Sequence, residues 1–515
     1  MNNKQLKWGS VLSYLQMGLS IIIGILYTPF MIRTLGQSEY GLYNTVSSTI
    51  SMLSILSLGF NSSYVRYYSK YKSKEDYKSI YRLNGLFLIV FLCIGFVALI
   101  CGLFLSVHLE LVFSSGLTTE EYTTARILML LLTINLSLSF PMSVFSSIIS
   151  ANERFIVLKM IGMVSTVGGP LVTMPLLIAG YRSIAMVGVS VSLSFISYGL
   201  YFFYVIVVLK QKFVFRNFEK GLFRSLFTYT FFIAVNLIID QINWNIDKIL
   251  LGRFKGTSAV AVYSVGYSLY GYYSMFSTSI SSVFTPRIHL LVNSTKDNKT
   301  EQKKQLTYIF TKVGRIQFAV LGLVASGVVF FGHSFITKIW AGEEYGDSYI
   351  VALLLILSAS IALIQNLGIE IQRAQNLHKF RSEAYSIMAL INLCLSIYLC
   401  QIYGAIGSAV GTTVSLIIAN GIVMNIYYQK RCNIDIGFFW REILKIAKGL
   451  IIPIFVGVLF LKLERAWSLK CFLLQIIGYT FIYSVSMYLF GLNDYEKELL
   501  LAPAKKMRKY SNRWF

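Results

Sequence analysis

The 515-residue chain is 56% hydrophobic and only 13% charged, with a formal net charge of +23 and a mean hydropathy of +0.64. This composition leaves no room for a soluble domain and indicates a membrane protein. In a soluble protein the positive charge would suggest nucleic-acid binding. Here the Lys and Arg residues lie in connectors between apolar stretches, so we exclude that class.

About fourteen apolar stretches follow one another, beginning with residues 8–34 and 40–64 and ending with 443–461 and Leu469–Gly491. Apolar runs of about 20 residues predict membrane-spanning helices, because lipid offers no partner to a backbone amide. Most Lys and Arg residues lie in the termini and in every second connector, which is typical of the cytoplasmic side. We therefore expect a multi-pass protein of the bacterial inner membrane with both termini in the cytoplasm.

Short motifs recur along the chain at nearly one offset. Leu251-Gly252 follows Leu35-Gly36 by 216 residues, and Gly411 to Ser415 follows Gly188 to Ser192 by 223 residues. Six helices per repeat would place both halves in the membrane in the same sense, with a substrate site at their interface. The alternative is that small residues recur in any packed membrane helix.

The expected fold is therefore an all-α membrane protein of about 14 transmembrane helices. It would comprise two pseudo-symmetric six-helix lobes, residues 1–215 and 216–430. Residues 431–515 would add two further helices and a basic cytoplasmic tail.

Three motifs carry a resemblance to a known family. They are Pro29 to Gly36 with Tyr40-Gly41, Asp247 to Gly252 with Tyr263, and Ala151-Asn-Glu-Arg-Phe155. With these motifs the chain resembles the multidrug/oligosaccharidyl-lipid/polysaccharide exporter superfamily, most closely its polysaccharide-transporter branch.

The resemblance covers nearly the whole chain and implies a flippase for O-antigen or capsule repeat units. Such a protein moves an undecaprenyl-pyrophosphate-linked oligosaccharide from the cytoplasmic to the periplasmic leaflet by alternating access. Its partners would be that lipid-linked oligosaccharide, membrane lipids, and the polymerase and glycosyltransferases of lipopolysaccharide or capsule synthesis.

Polar residues form one stripe on the seventh predicted helix. Asn236, Asp240, Asn243 and Asp247 lie at positions i, i+4, i+7 and i+11, on a single helical face. Carboxylates within a membrane usually face the helix-bundle interior and serve ion or substrate pathways. We therefore predict that Asp240 and Asp247 couple transport to H⁺ or Na⁺. The alternative is a structural role in helix packing or capping.

The eighth predicted helix carries a second stripe of Tyr263, Tyr267, Tyr270, Ser274, Ser277 and Ser281. Tyr and Ser match the hydroxyls and apolar faces of sugars. We predict that Tyr267, Tyr270 and Ser274 line a substrate cavity together with Asn236 and Asn243. The alternative is that Tyr lies at the membrane interface and Ser at helix contacts.

A pyrophosphate headgroup favours Arg, which can bind it with two parallel hydrogen bonds. The predicted headgroup ligands are Arg33, Arg66, Arg287 and Arg315. Arg66 and Arg287 occupy matching places, at the cytoplasmic ends of the second and eighth predicted helices. Orientation alone would also place positive residues there.

The sequence predicts no metal site, no disulfide and no cofactor beyond the coupling ion, because its six cysteines lack ligand spacing. Two other functions stay open. A cation-coupled multidrug exporter of the same superfamily would also use an intramembrane aspartate. A membrane polysaccharide polymerase is less favoured, because the predicted outer loops are short, and we expect a protein that is not an enzyme.

Overall fold

The computed structural model describes residues 3–57, 59–113, 117–216, 222–295, 297–375, 377–463 and 468–498. Throughout these ranges the chain is helical, without a strand, and short turns, 3₁₀ segments and π segments connect the helices. The α-helices are α1 (Asn3–Met52), α2 (Phe60–Lys72), α3 (Tyr77–Val107), α4 (Thr119–Ala151), α5 (Phe155–Ile178), α6 (Ser183–Phe203), α7 (Leu222–Phe254), α8 (Thr257–Ser294), α9 (Lys299–Ser334), α10 (Gly346–Ile364), α11 (Leu367–Ala374), α12 (His378–Leu416), α13 (Met424–Lys430), α14 (Ile436–Ala447), α15 (Ile451–Leu463) and α16 (Leu469–Ser486).

Within the described ranges, ten helical segments are long and apolar enough to cross a membrane. They are Leu12–Ser57, Tyr77–Val107, Thr119–Ala151, Phe155–Ile178, Ser183–Val208, Lys299–Trp340, Glu343–Ile364, Lys379–Lys430, Ile436–Lys462 and Leu469–Gly491. A helix of about 20 residues spans the roughly 30 Å hydrocarbon layer. The prediction of an all-helical, multi-pass membrane protein is confirmed.

Two of these segments are divided by a glycine. Gly36 in α1 has φ 75° and ψ 170°, and Gly404 in α12 has φ 56° and ψ −131°. Only glycine adopts such backbone angles without strain, which explains the glycine of the Leu35-Gly36 motif. The surrounding segments are 46 and 52 residues long, about twice the length of one crossing. The count of fourteen spans stays a prediction.

The chain divides into two compact units. Unit 1 comprises Met1–Val265, Ile339–Ser348 and Tyr385–Thr412, and unit 2 comprises Gly266–Lys338, Tyr349–Ala384 and Thr413–Phe515. Helices α8 and α12 each contribute to both units. The predicted lobes 1–215 and 216–430 and the appended segment 431–515 stay predictions, and residues 499–515 lie outside the described ranges.

Unit 1 has an aromatic core where α2 packs against α3. The rings of Tyr64 and Phe87 meet edge to face at a centroid distance of 5.1 Å. The Tyr64 hydroxyl donates to Oδ1 of fully buried Asn84 at 2.6 Å. One helical turn further, the Tyr68 hydroxyl donates to Asn152 Oδ1 at 3.0 Å. Asn152 of the Ala-Asn-Glu-Arg-Phe motif therefore connects the end of α4 to α2.

Two motif glycines of unit 1 allow helix backbones to approach closely. A Cβ atom on Gly41 would lie 1.8 Å from the carbonyl oxygen of Thr257, the first residue of α8. A Cβ atom on Gly252 would lie 2.6 Å from Cγ2 of Thr45. Small residues at helix contacts are the usual solution for close packing in membranes. The motif residues Tyr40-Gly41 and Leu251-Gly252 thus set how α1 meets α7 and α8.

In unit 2, α9 packs against α14 and α16. The rings of Phe310 and Phe439 lie 4.8 Å apart, and Gly314 provides the space for the Phe439 ring. The Tyr483 hydroxyl donates to the carbonyl oxygen of Ala319 at 2.8 Å. These contacts hold the C-terminal helices α14 and α16 on α9.

Candidate functional site

A buried carboxylate, Asp247 of α7, is the centre of the candidate site in unit 1. Its side chain is 1% exposed. Oδ2 accepts two hydrogen bonds of 2.8 Å, one from the Tyr263 hydroxyl of α8 and one from the Thr412 hydroxyl of α12. One oxygen atom therefore connects three helices.

Two further residues of α12 surround this carboxylate. The Thr412 hydroxyl also lies 3.4 Å from Asn392 Oδ1, and the Ser396 hydroxyl donates to the same Oδ1 at 3.1 Å. Ser396 therefore joins the hydrogen-bond network of this carboxylate through Asn392 and Thr412. A Cβ atom on Gly411 would lie 2.7 Å from Ser396 Oγ, so the glycine lets the two halves of α12 meet at this point. Asp247, Tyr263, Asn392, Ser396 and Thr412 form what we call the Asp247 site.

The Asp247 site has unused hydrogen-bonding capacity. Among the described residues, Asp247 Oδ1 and Asn392 Nδ2 are buried and have no hydrogen-bond partner. An ionised carboxylate buried from water is costly unless hydrogen bonds or a cation compensate its charge. A carboxylate, an amide and three hydroxyls present the oxygen atoms that hard cations prefer. The arrangement can therefore hold one proton or one small monovalent cation.

The predicted stripe on α7 is only partly described. The side chains of Asn236 and Asp240 lie outside the described residues, although their backbone belongs to α7. Asn243 is half-buried and lies one helical turn before Asp247. The ion-coupling role of Asp240 and Asp247 and the cavity role of Asn236 and Asn243 stay predictions.

Sequence reasoning missed Asn392, Ser396 and Thr412 as partners of Asp247. Two signals were present. Asn392 and Ser396 stand four residues apart within an apolar run, and Thr412 lies in the repeated segment Gly411 to Ser415. Neither signal says that these residues meet a carboxylate about 150 positions earlier in the chain.

After Tyr263, the remaining residues of the predicted stripe on α8 form two groups with different contacts. Tyr267 and Tyr270 are ring neighbours at 5.7 Å, and the Ser274 hydroxyl donates within its own helix to Gly271 at 2.9 Å. Buried Gln317 of α9, by contrast, donates to the hydroxyls of Ser277 at 3.1 Å and Ser281 at 2.7 Å. Ser277 and Ser281 thus serve helix packing in unit 2. The cavity role of Tyr267, Tyr270 and Ser274 stays a prediction.

The predicted headgroup arginines differ in their surroundings. Arg33 is exposed, and its Nη2 donates to the carbonyl oxygen of Ile339 at 2.5 Å, within unit 1. Arg66 is exposed in the middle of α2. Arg287 is exposed on α8 and lines a groove of unit 2.

Arg315 is enclosed in unit 2. Its Nε and Nη2 bind both carboxylate oxygens of Glu496 at 2.7 and 2.8 Å. Its Nη1 donates to the carbonyl oxygen of Glu442 at 2.9 Å, and its Nη2 also donates to that of Gly491 at 3.0 Å. The side chain is 5% exposed. Arg315 thus connects α9 to the C-terminal helices. Its predicted role as a headgroup ligand stays a prediction.

Within the described ranges, His, Cys, Asp and Glu side chains form no group of three or more that could hold a metal ion. All six cysteines have free thiols.

The sequence comparison decides the family. The family described as "Polysaccharide biosynthesis protein" matches residues 7–291, which is more than half of the chain. The chain belongs to this family. It is a member of the polysaccharide-transporter branch of the multidrug/oligosaccharidyl-lipid/polysaccharide exporter superfamily, as the three motifs predicted.

Two curated relatives match parts of the chain. The "Capsular polysaccharide biosynthesis protein CapF" of Staphylococcus aureus is 26% identical over 212 residues, 41% of this chain and 50% of the relative. The "Probable low-salt glycan biosynthesis flippase Agl15" of Haloferax volcanii is 25% identical over 209 residues, 40% of this chain and 42% of the relative. The chain thus spans about half the length of the curated relatives it matches.

Solved structures share the fold. The lipid II flippase MurJ in an inward closed conformation aligns with a TM-score of 0.71 at 18% identity, over 94% of this chain and 98% of that one. An inward-facing multidrug resistance transporter of the MATE family aligns with a TM-score of 0.55 at 14% identity, over 84% and 96%. Agl15 is named as a probable flippase, and the two solved structures are a flippase and a transporter.

Proposed function

We propose that this protein is a flippase for undecaprenyl-pyrophosphate-linked oligosaccharide repeat units. It carries them from the cytoplasmic to the periplasmic leaflet of the bacterial inner membrane by ion-coupled alternating access. The product serves surface polysaccharide synthesis, as capsule or O-antigen.

The cargo class rests on the family. Membership in a polysaccharide biosynthesis family, together with a many-helix membrane fold, favours movement of a glycan intermediate across the membrane. Most Lys and Arg residues lie in the termini and in every second connector, which favours a cytoplasmic position for both termini. Arg66 and Arg287 would then lie at the inner leaflet, where the lipid-linked precursor is made.

The ion coupling rests on one observation, the buried Asp247 carboxylate, one oxygen atom of which accepts no hydrogen bond from the residues that the structure describes. Binding a proton or Na⁺ there neutralises a charge that is costly in this environment. Asp247 Oδ2 accepts hydrogen bonds from the hydroxyls of Tyr263 and Thr412. A change in the charge of this carboxylate therefore alters its contacts with α8 and α12. This connects ion occupancy to helix positions.

A deletion strain tests the cargo. Loss of the protein should cause lipid-linked repeat units to accumulate on the cytoplasmic leaflet and should reduce surface polysaccharide. Normal surface polysaccharide in a strain without a second transporter would refute the proposal. Unchanged polysaccharide with raised sensitivity to lipophilic cations would instead favour a multidrug exporter.

Substitution of the carboxylates tests the coupling. Asp247→Asn should abolish ion-dependent transport in reconstituted vesicles, while Asp297→Asn in an exposed connector should leave it unchanged. We expect Asp240→Asn to behave like Asp247→Asn. Abundance in the membrane and the thermal unfolding temperature serve as folding controls. Full transport by a folded Asp247→Asn variant contradicts the coupling role of this residue.

A further inference from the structure

Unit 2 contains a positively charged groove apart from the Asp247 site. It has a volume of about 850 Å³ and is formed by the C-terminal part of α8, the first turns of α9 and the start of α14. Four cations line it: Arg287, Lys303, Lys304 and Lys312. Phe284, Tyr308 and Phe438 supply aromatic walls. We call this feature the cationic groove.

The acidic residues of the cationic groove do not neutralise its cations. Glu301 accepts a hydrogen bond of 2.5 Å from Gln305 Nε2, and Asp435 caps α14 by accepting from the backbone amide of Phe438 at 2.9 Å. Over the part of the chain that the structure describes, none of the four cations forms an ion pair. Four positive and two negative groups leave a formal charge of +2.

One cation is fixed in place by aromatic rings. Lys312 Nζ lies 3.4 Å from the ring centroid of Tyr495 and 5.5 Å from that of Tyr308. Such contacts hold an ammonium group by the attraction of the ring face for positive charge. The side chain of Lys312 is half-buried, so its orientation is set before a ligand arrives. The cationic groove is thus partly preorganised, in contrast to a scatter of surface lysines.

We infer that the cationic groove binds the diphosphate of the lipid-linked oligosaccharide at the inner face of the membrane, before transport. The inference rests on the proposed function and names a loading site for it. The formal charge of +2 complements a diphosphate, and the Arg287 guanidinium can bind two phosphate oxygens at once. The aromatic walls suit the apolar faces of the attached sugar rings. A volume of 850 Å³ exceeds that of a diphosphate alone and leaves space for them.

The position of the groove supports this occupant. Arg287 lies at the end of α8 that the charge pattern assigns to the cytoplasm, and the basic connector after α8 leads directly to Lys303 and Lys304. A lipid diphosphate lies at the boundary of the hydrocarbon layer, where basic residues at the cytoplasmic end of a helix would meet it. Bulk anionic lipid also collects at basic surfaces, but it carries one charge per headgroup phosphate and has no sugar.

Binding to the purified full-length protein tests the inference. The probe is geranylgeranyl diphosphate, with geranylgeranyl monophosphate and phosphatidylglycerol as comparison ligands. The combined variant Arg287→Gln/Lys303→Gln/Lys304→Gln should raise the Kd for the diphosphate about tenfold or more, because charge-assisted hydrogen bonds are lost. The control Lys74→Gln/Lys78→Gln removes exposed cations of unit 1 and should leave the Kd unchanged.

Three results would overturn the inference. They are an unchanged Kd in the combined variant, an equal loss in the control variant, and equally tight binding of phosphatidylglycerol that the same substitutions abolish. The last result would make the groove a contact for bulk lipid. An unchanged thermal unfolding temperature shows that the combined variant is folded. If the combined variant does not fold, the single variant Arg287→Gln takes its place in the binding measurement.

The two proposals fail in different ways. If deletion of the protein leaves surface polysaccharide normal while the diphosphate still binds through the groove, the proposed function is wrong. If deletion abolishes the polysaccharide and the combined groove variant restores it fully, the loading site is wrong.

Discussion

Replacement of Arg315 with Met separates a structural role from headgroup binding. The guanidinium makes two charge-assisted hydrogen bonds to Glu496 and two bonds to backbone carbonyls, within a 5% exposed environment. Met preserves much of the volume and removes the charge. Glu496, which is 4% exposed, then remains as a buried carboxylate without its cation.

Breaking a buried ion pair from one side costs about 3–5 kcal/mol, because an uncompensated charge remains. The double variant Arg315→Met/Glu496→Met removes both charges and should recover most of this loss. The Glu442 carboxylate, whose Oε2 lies 3.4 Å from Arg315 Nη1, keeps Lys445 at 2.5 Å as its other partner, so it is less affected. We therefore expect a strong positive coupling between Arg315 and Glu496.

Thermal unfolding of the four proteins in detergent, from wild type to double variant, measures this coupling. The single variant should unfold about 3–5 °C below the wild type, and the double variant should unfold close to the wild-type temperature. Binding of geranylgeranyl diphosphate to folded protein should be unchanged. If Arg315→Met unfolds like the wild type but no longer binds the diphosphate, our structural reasoning is refuted and the headgroup role is correct.

Three further changes test other contacts. Gly41→Ala places a Cβ atom 1.8 Å from the Thr257 carbonyl oxygen and should destabilise the protein by about 1–3 kcal/mol. Gly271→Ala should not, because no packed neighbour among the described residues lies within 4 Å of the added Cβ atom, and equal unfolding temperatures of the two variants would contradict this. Thr412→Val removes a donor to Asp247 and should weaken the dependence of transport on the coupling ion about tenfold, and an unaltered ion dependence in vesicles would argue against the Asp247 site. Burial raises the pKa of the Cys432 thiol to about 12, so the small thiolate fraction at neutral pH should make maleimide labelling slow until the protein is denatured. Rapid labelling of Cys432 in a native variant whose other five cysteines are replaced by serine would contradict this expectation.

The helical membrane architecture followed from the sequence because lipid leaves few alternatives. An apolar run of about 20 residues must satisfy its own backbone, so length and composition were sufficient. The glycine of Leu35-Gly36 was also visible in the sequence as part of a motif. Only the structure shows why a glycine stands there: Gly36 has backbone angles that other residues adopt only with strain.

The candidate site was only half accessible to sequence reasoning. Helical periodicity placed Asp247 on a polar face, because that pattern is local. Its partners on α12 are about 150 residues away, and no local pattern connects them. For the same reason the sequence grouped Arg315 with Arg287. Only the fold shows that Arg315 pairs with Glu496, 181 residues later in the chain. Arg287, by contrast, lines an open groove.

The shared oxygen of Asp247 has a mechanical consequence. Tyr263 and Thr412 meet on one atom, so α7, α8 and α12 have a common joint whose strength depends on a single charge. A carboxylate accepts stronger hydrogen bonds when it is ionised than when it carries a proton. Under the proposed ion coupling, one binding event at Asp247 would therefore change the contacts of all three helices together.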